Sequence, residues 1–247
     1  MDWSDEGIVL GLRRHGEDAA VLSLLTRDHG RHRGLVRGAF GRRGRGLYQP
    51  GNEVLAAWRA RLADHLGSFA CELKRDRAEA LLDDAAKLEG LAAACAVVDS
   101  VLPDREPHPE IHAATLALLD AVAALDDWPL AYVHWELMLL EALGFALDLE
   151  RCALSGAGDG LAFVSPRSGR AVTLAAAGQW RERLLPLPGF LVPGRGQPAV
   201  AEDLAAGLAL TGHFLERQIW HPQDKPMPAA RTRLVERYAR ATTTSGV

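Results

Sequence analysis

The sequence lacks any apolar run approaching the roughly 20 residues that a membrane-spanning helix needs. Its acidic start, MDWSDEG, is unlike a signal peptide. Cysteine is scarce as well, because the three cysteines, Cys71, Cys95 and Cys152, are odd in number and widely separated. This spacing argues against a disulfide framework and fits a reducing compartment. We therefore expect a soluble cytoplasmic protein without membrane contact.

Catalytic motifs are also missing from the sequence. It contains no HExxH, no Walker-type glycine-rich loop followed by Lys and Ser or Thr, no GxGxxG after a strand and no GxSxG. The nine histidines are scattered along the chain. The expectation is a protein that is not an enzyme.

Positive charge is concentrated in one stretch. Residues 26–45 contain seven arginines and a single acidic residue, Asp28. Residues 1–80 carry a net charge of +3, so the overall charge of −4 leaves −7 for residues 81–247. A basic N-terminal part on an acidic remainder predicts a polyanion partner for one part of the chain only.

The basic stretch reads as a strand followed by a loop. In an extended segment at residues 30–37, alternation places Arg31, Arg33 and Arg37 on one side of the strand. Four glycines are then interleaved with arginines over residues 38–46, which predicts a mobile loop able to wrap guanidinium groups around phosphates. The competing interpretation is a solvated charged surface, but such surfaces normally mix both signs. Together with arginines on neighbouring segments, the predicted nucleic-acid contacts are Arg14, Arg27, Arg31, Arg33, Arg37, Arg42, Arg43, Arg45, Arg59 and Arg61. For Arg59 and Arg61 an ordinary exposed strand face is an equally good explanation.

The N-terminal part has the pattern of a small β-barrel. Five short candidate strands, separated by turn residues, cover residues 7–13, 19–25, 30–37, 53–61 and 67–73. No helix-length segment precedes residue 74. A five-stranded OB-type barrel over residues 1–77 is the commonest such fold that also offers a nucleic-acid face.

From residue 78 onward the apolar period becomes helical. Helices are predicted over residues 78–102, 111–125, 130–143, 199–220 and 226–240. Between the third and fourth, residues 149–178 read as a hairpin around the turn SPRSG, with Phe163 and Val172 as apolar contacts. The fold class is therefore α+β and multidomain, with a mainly helical domain over residues 78–247 that carries this insert.

Several segments together carry a family resemblance. They are GIVL at residues 7–10, RHGE at 14–17, LLTRDHG at 24–30, LYQP at 47–50 and EALGF at 141–145, within a match that spans about residues 7–180. In order and spacing they resemble the RecO family of bacterial DNA recombination and repair mediators. The resemblance implies an N-terminal OB-fold, a helical domain and a zinc-ribbon-like insert. It also implies single-stranded DNA binding, annealing of strands coated with single-strand-binding protein, and recombinase loading with a RecR-type mediator protein, in the cytoplasm at the nucleoid.

The zinc ligands of the insert depart from the family pattern. Zinc-binding relatives use two Cys-x-x-Cys pairs, which here fall at Cys152/Ser155 and at Thr173/Ala176. One thiolate cannot hold a tetrahedral zinc site. We expect a degenerate insert with its zinc ligands lost, no zinc, and no other cofactor.

The resemblance also implies a site for the acidic tail of single-strand-binding protein on the helical domain. Such a tail calls for an apolar slot with a basic rim, and Arg151, Arg217 and Arg231 are the predicted rim residues because they are basic groups in an acidic half.

An alternative function is a protein-interaction scaffold whose basic loop binds an acidic protein partner, with only incidental DNA contact. A third is an OB-type RNA binder.

Overall fold

The computed structural model describes residues 1–192, 194 and 200–244. By its contacts the chain forms two compact units: Met1–Leu125 with Pro228–Arg231, and Asp126–Met227 with the chain from Thr232 onward. The boundary predicted after residue 77 separates strands from helices, whereas the contacts group the first two long helices with the strands. As a domain boundary, residue 77 stays a prediction.

The first unit contains a closed five-stranded barrel, which confirms the predicted OB-type fold. Its strands are β1 (Asp2–His15), β2 (Ala19–Thr26), β3 (Gly30–Arg37), β4 (Glu53–Arg59) and β5 (Ser68–Arg75), in the order β1-β2-β3-β5-β4. The long β1 pairs with β4 through its first half and with β2 through its second half, with an irregularity near Gly11. Such a bulge bends one strand enough to serve two partners and close the barrel.

Side chains alternate along β3 as the sequence predicts. Val36 is buried in the barrel core, and a Cβ atom on Gly34 would lie 2.5 Å from Cδ2 of Phe69. Gly34 therefore faces the barrel interior, where the Phe69 ring occupies the space that a side chain at this position would need. The arginines of β3 lie on the outer side.

The glycine-rich segment after β3 is helical, so the prediction of a mobile loop is wrong. Helix α1 (Arg42–Leu47) follows Gly41, and Leu47 and Tyr48 are both buried in the barrel core. A Cβ on Gly44 would lie 2.5 Å from the carbonyl oxygens of Gly38 and Ala39. The helix therefore packs too closely on its own connection to accept a side chain there, and the burial of Leu47 and Tyr48 anchors it.

Two long helices complete the first unit. After a 3-10 turn (Glu79–Leu81), α2 (Ala85–Val101) begins at Asp84, whose carboxylate accepts hydrogen bonds from the backbone N–H groups of Ala86 and Lys87, each at 3.0 Å. Helix α3 (Pro109–Ala124) follows. Cys95 on α2 is fully buried, as expected of a core residue.

The second unit is mainly helical. Helix α4 (Trp128–Ala142) packs against α6 (Ala201–Leu215), which continues as one π-helical turn (Glu216–Trp220). Helix α7 (Ala229–Thr244) belongs to this unit from Thr232 onward. The predicted start of the fourth helix at residue 199 and the chain end at residues 245–247 lie outside the described residues. Within the described chain, no helix is both long enough and apolar enough to cross a membrane.

A small sheet interrupts these helices where the hairpin was predicted. Strands β6 (Leu161–Val164) and β7 (Ala171–Thr173) pair with Phe163 opposite Val172, and β7 leads into the short helix α5 (Leu174–Ala177). A third strand, β8 (Leu185–Pro186), pairs with β6 and was not predicted. The hairpin is therefore confirmed, while its likeness to a zinc ribbon stays a prediction.

Candidate nucleic-acid interface

The outer face of the barrel carries a groove floored by small side chains. Two adjoining depressions of about 780 Å³ and 400 Å³ share Ser4, Ala57, Ser68, Phe69 and Ala70 as lining residues. In the sheet, Ser4 pairs with Ala57 and Ala57 pairs with Ala70. We call these two depressions together the barrel groove. Its short side chains leave room for a chain to lie across three strands.

Three of the predicted arginines border the barrel groove. Arg37 at the end of β3 and Arg43 on α1 line the larger depression, and Arg59 on β4 lines the smaller one. Arg37 and Arg43 are exposed and have no ion pair within the part of the chain that the structure describes. Arg59 has only a loose partner, with its Nη2 atom 3.9 Å from Oδ2 of Asp2, and both side chains are largely exposed. Three guanidinium groups are thus available to an anionic ligand.

Other predicted arginines are exposed as well. Arg42 and Arg61 form no ion pair with any described residue. The Arg14 guanidinium lies 4.1 Å from the centre of the Phe40 ring, and Nε of Arg45 donates a hydrogen bond of 2.7 Å to the Phe40 carbonyl. Arg14 and Arg45 are therefore held in place around α1 while remaining exposed.

Arg27 lies apart from these residues, beside an acid of its own turn. Its Nε atom is 3.9 Å from Oδ1 of Asp28, and both side chains are about 70% exposed. So exposed a pair contributes little to stability, and Arg27 keeps its charge available to a ligand.

The prediction that Arg31 is a DNA contact is wrong for a structural reason. Arg31 is only 6% exposed, its Nη2 atom lies 2.7 Å from Oδ1 of Asp104, and its Nη1 atom donates to the Asp99 carbonyl at 2.9 Å. Arg33 is half-buried and lies 4.0 Å from the Asp99 carboxylate and 3.9 Å from that of Asp104. The outer face of β3 is therefore neutralised over its first half, and only Arg37 at its end faces the groove.

An aromatic cluster at one end of the barrel was not predicted from the sequence. Trp3 stacks on His29 with ring centroids 4.0 Å apart and planes at 7°, and it stacks on Trp58 at 5.7 Å. The ring of His32 lies 4.8 Å from Trp58 and 5.9 Å from Phe69. Burial lowers the pKa of His32 to about 4, with help from the charges of Arg105 and His29, so this ring is neutral at physiological pH. Only the pairing of Trp3 with Trp58 across β1 and β4 could have revealed the cluster, and it requires the register of the barrel.

Two of the positions at which the resemblance implies zinc ligands, Cys152 and Thr173, lie together in the insert. Sγ of Cys152 lies 3.7 Å from Oγ1 of Thr173 and accepts a hydrogen bond of 3.4 Å from the Thr173 backbone N–H. Oγ1 of Thr173 in turn accepts from the N–H of Ala176 at 3.2 Å. Burial raises the pKa of the Cys152 thiol. Hydrogen bonds to its sulfur, first among them those from Ser155, outweigh this effect and lower the pKa to about 6. Among the described residues no group of three or more His, Cys, Asp or Glu could hold a metal ion.

Of the three residues predicted to form the rim of a tail-binding site, two are exposed and one is buried. Arg151 and Arg217 are exposed, and Nη1 of Arg217 donates to the Pro166 carbonyl. Arg231 is only 1% exposed, so its prediction as a surface rim residue is wrong.

Sequence reasoning also missed an apolar slot on the insert. The slot has a volume of about 240 Å³ and is lined by side chains that include Leu154, Val172, Trp180 and Leu184. Leu154 and Trp180 are 72% and 53% exposed.

A closed five-stranded barrel followed by a helical domain is the architecture of an OB-fold protein, and here arginines border a groove on the barrel. The chain matches the family model "Recombination protein O N terminal" over residues 1–75 and "Recombination protein O C terminal" over residues 82–226. It is 53% identical to the DNA repair protein RecO of Rhodospirillum centenum over 249 residues, covering 100% of this chain and 98% of that protein. It is 51% identical to the DNA repair protein RecO of Rhodospirillum rubrum over 97% of both chains, and 49% identical to that of Paracoccus denitrificans over 100% of both. The chain therefore belongs to the RecO family of DNA repair and recombination proteins.

Proposed function

We propose that this protein binds single-stranded DNA along the barrel groove and anneals complementary strands without ATP, as a recombination mediator rather than an enzyme. The observation that carries the proposal is the position of Arg37, Arg43 and Arg59 around a groove floored by small side chains. Guanidinium groups neutralise phosphates regardless of sequence. Four of the five residues shared by the two depressions are Ser or Ala, so the floor leaves space for the sugar-phosphate chain.

Annealing needs a strand to be held loosely enough for a second strand to pair with it. The arginines Arg37, Arg42 and Arg43 are exposed, and none has an ion pair in the described chain. Such contacts act through charge and leave the base edges free for pairing. The proposed site therefore favours pairing over tight storage of single strands.

The proposed partners are the acidic tail of single-strand-binding protein and a RecR-type mediator protein, with the protein acting at the nucleoid. The apolar slot on the insert supports a tail site, because Leu154 and Trp180 expose apolar surface there. The guanidinium of Arg183 lies 5.3 Å from the Trp180 ring centre, so a cation stands beside the slot for an acidic peptide. Trp180→Ala should weaken binding of a labelled tail peptide without changing affinity for DNA.

An annealing assay tests the proposed activity. Two complementary labelled oligonucleotides, without ATP, should pair faster with the protein than alone, and moderate salt should suppress the acceleration. The double variant Arg42→Ala/Arg43→Ala should lose more pairing rate than equilibrium binding, whereas Arg33→Ala, whose charge is matched by Asp99 and Asp104, should change neither. A protein that binds single strands firmly but slows their pairing would refute the annealing role and leave a protective binder. A protein that binds only the acidic tail peptide would support a scaffold instead.

A further inference from the structure

At the end of the barrel groove lies a separate small pocket, which we call the aromatic pocket. It has a volume of about 250 Å³ and its lining includes Trp3, His29, His32, Trp58 and Arg105. Pockets for drug-sized ligands measure about 300–1,000 Å³, so this one suits a single planar ring system. Four of its ten lining residues carry aromatic rings, and aromatic rings recognise flat ligands by stacking.

The walls of the aromatic pocket are held in place before any ligand arrives. Oδ2 of Asp5, a buried carboxylate, lies 2.9 Å from Nδ1 of His29 and also accepts from the backbone N–H of Asp28 at 2.8 Å. On another side, the Arg105 guanidinium lies 6.0 Å from the Trp58 ring centre. Arg105 also donates to the carbonyls of Ala63 and His65 in the β4–β5 loop. A pre-formed site of this kind loses little conformational entropy on binding.

His32 is a buried member of the lining of the aromatic pocket. It is 3% exposed, and neither of its ring nitrogens has a hydrogen-bond partner among the described residues. A buried polar group without a partner is costly, and such groups call for an explanation. Because these nitrogens have almost no accessible surface, the pocket offers a ligand the surfaces of its rings and not a hydrogen-bonding edge.

The aromatic pocket is continuous with the barrel groove. Asp2, Trp3 and Trp58 line both the pocket and the smaller depression of the groove. A strand whose phosphates lie along Arg37, Arg43 and Arg59 therefore reaches the mouth of the pocket at its Arg59 end. A base turned out of that strand has the ring of Trp3, which is half-buried, directly before it.

We propose that the aromatic pocket is a subsite for one unpaired nucleobase of the bound strand, which stacks on Trp3. This proposal rests on the proposed binding of single-stranded DNA and adds a contact that depends on the base. One anchored base per protein fixes the position of the strand while the bases over the groove stay free to pair. Alanine substitution at a stacking side chain typically costs about 1–3 kcal/mol per base, or roughly 5- to 150-fold in affinity.

The test compares two probes of equal length at one salt concentration: an oligothymidylate and the same sugar-phosphate chain without bases. The wild-type protein should bind the oligothymidylate at least about 5-fold more tightly. Trp3→Ala should reduce this ratio towards one and leave the affinity for the abasic chain unchanged. Trp180→Ala, an exposed tryptophan of the second unit, is the matched control and should keep the wild-type ratio.

Two further measurements guard against a Trp3 variant that fails to fold. His32→Phe keeps an aromatic ring in the pocket and should keep the wild-type ratio, so a lost ratio would contradict recognition by stacking. A 2-aminopurine base placed in the strand should lose fluorescence on binding to the unmodified protein, because stacking quenches it. Equal affinity of the wild-type protein for both probes would refute the proposed base subsite alone. Displacement of the 2-aminopurine base by an acidic peptide that ends in an apolar residue would also refute it. Failure to bind either probe would refute the proposed function together with the pocket.

Discussion

The buried guanidinium of Arg31 provides a sharp test of which arginines stabilise the fold. Arg31→Ala removes a side chain that is 6% exposed, together with its contacts of 2.7 Å to Asp104 and 2.9 Å to the Asp99 carbonyl. Loss of one partner from a fully buried ion pair costs about 3–5 kcal/mol. Here the side chains of Asp99 and Asp104 are 34% and 51% exposed, so both carboxylates can be rehydrated. We therefore expect the free energy of unfolding to fall by about 2–3 kcal/mol.

Urea denaturation measures this loss directly. With a slope of about 1–3 kcal/mol per molar urea, the midpoint should fall by roughly 1 M or more, and the slope itself should not change. Arg33→Ala is the matched control, because its guanidinium lies about 4 Å from the same two carboxylates and is 42% exposed; it should cost less than about 1 kcal/mol. The folded Arg31→Ala protein should bind single-stranded DNA with the wild-type salt dependence. Unchanged stability combined with weaker and less salt-dependent binding would show that Arg31 contacts DNA after all.

Three further predictions concern the fold and its chemistry. Gly44→Ala should destabilise the protein by about 1–3 kcal/mol in a urea titration, because its Cβ would lie 2.5 Å from two carbonyl oxygens. The control Gly46→Ala, in the same helix, meets no atom within 4 Å and should be neutral or slightly stabilising. Equal effects of the two substitutions would contradict the close packing at Gly44. The pKa of His32 is lowered to about 4, so its neutral form is favoured by folding and its contribution to stability is complete above about pH 6.5 and lost as the pH falls towards 4. His32→Phe should therefore flatten the fall of stability in this window by up to about 1.4 kcal/mol per pH unit, and an unaltered pH profile would contradict the burial of that ring. Purified protein should contain no stoichiometric zinc by elemental analysis and keep its melting temperature in chelator, because a single cysteine cannot complete a tetrahedral site; one zinc per chain would contradict this.

The barrel strands could be predicted closely because their signal is local. The predicted segment 30–37 coincides with β3, and the alternation along it is confirmed by the buried Val36 and by Gly34 against Phe69. Strand β1 was predicted to begin at residue 7, but it begins at Asp2. Trp3 therefore lay outside the predicted strand, and the aromatic pocket remained hidden.

What the sequence could not predict depends on partners distant in the chain. Arg31 shares its strand face with Arg33 and Arg37, but Asp99, which accepts from its guanidinium, is 68 residues away. No local pattern indicates that an acidic residue of α2 covers half of a basic strand face. Helix α1 was missed for a related reason, since glycine disfavours helices in isolation and the burial of Leu47 and Tyr48 in the barrel overrides this preference.

The salt dependence of single-strand binding tests the central claim most directly. The affinity of the wild-type protein for an oligothymidylate should fall linearly on a log-log plot against salt concentration. Arg37→Ala/Arg43→Ala should weaken binding without sequence preference and flatten this slope by about 1.4, or about 0.7 for each lost phosphate contact, while Arg33→Ala should keep the wild-type slope. A slope unchanged by the double variant, or flattened equally by Arg33→Ala, would contradict the assignment of the barrel groove as the DNA site.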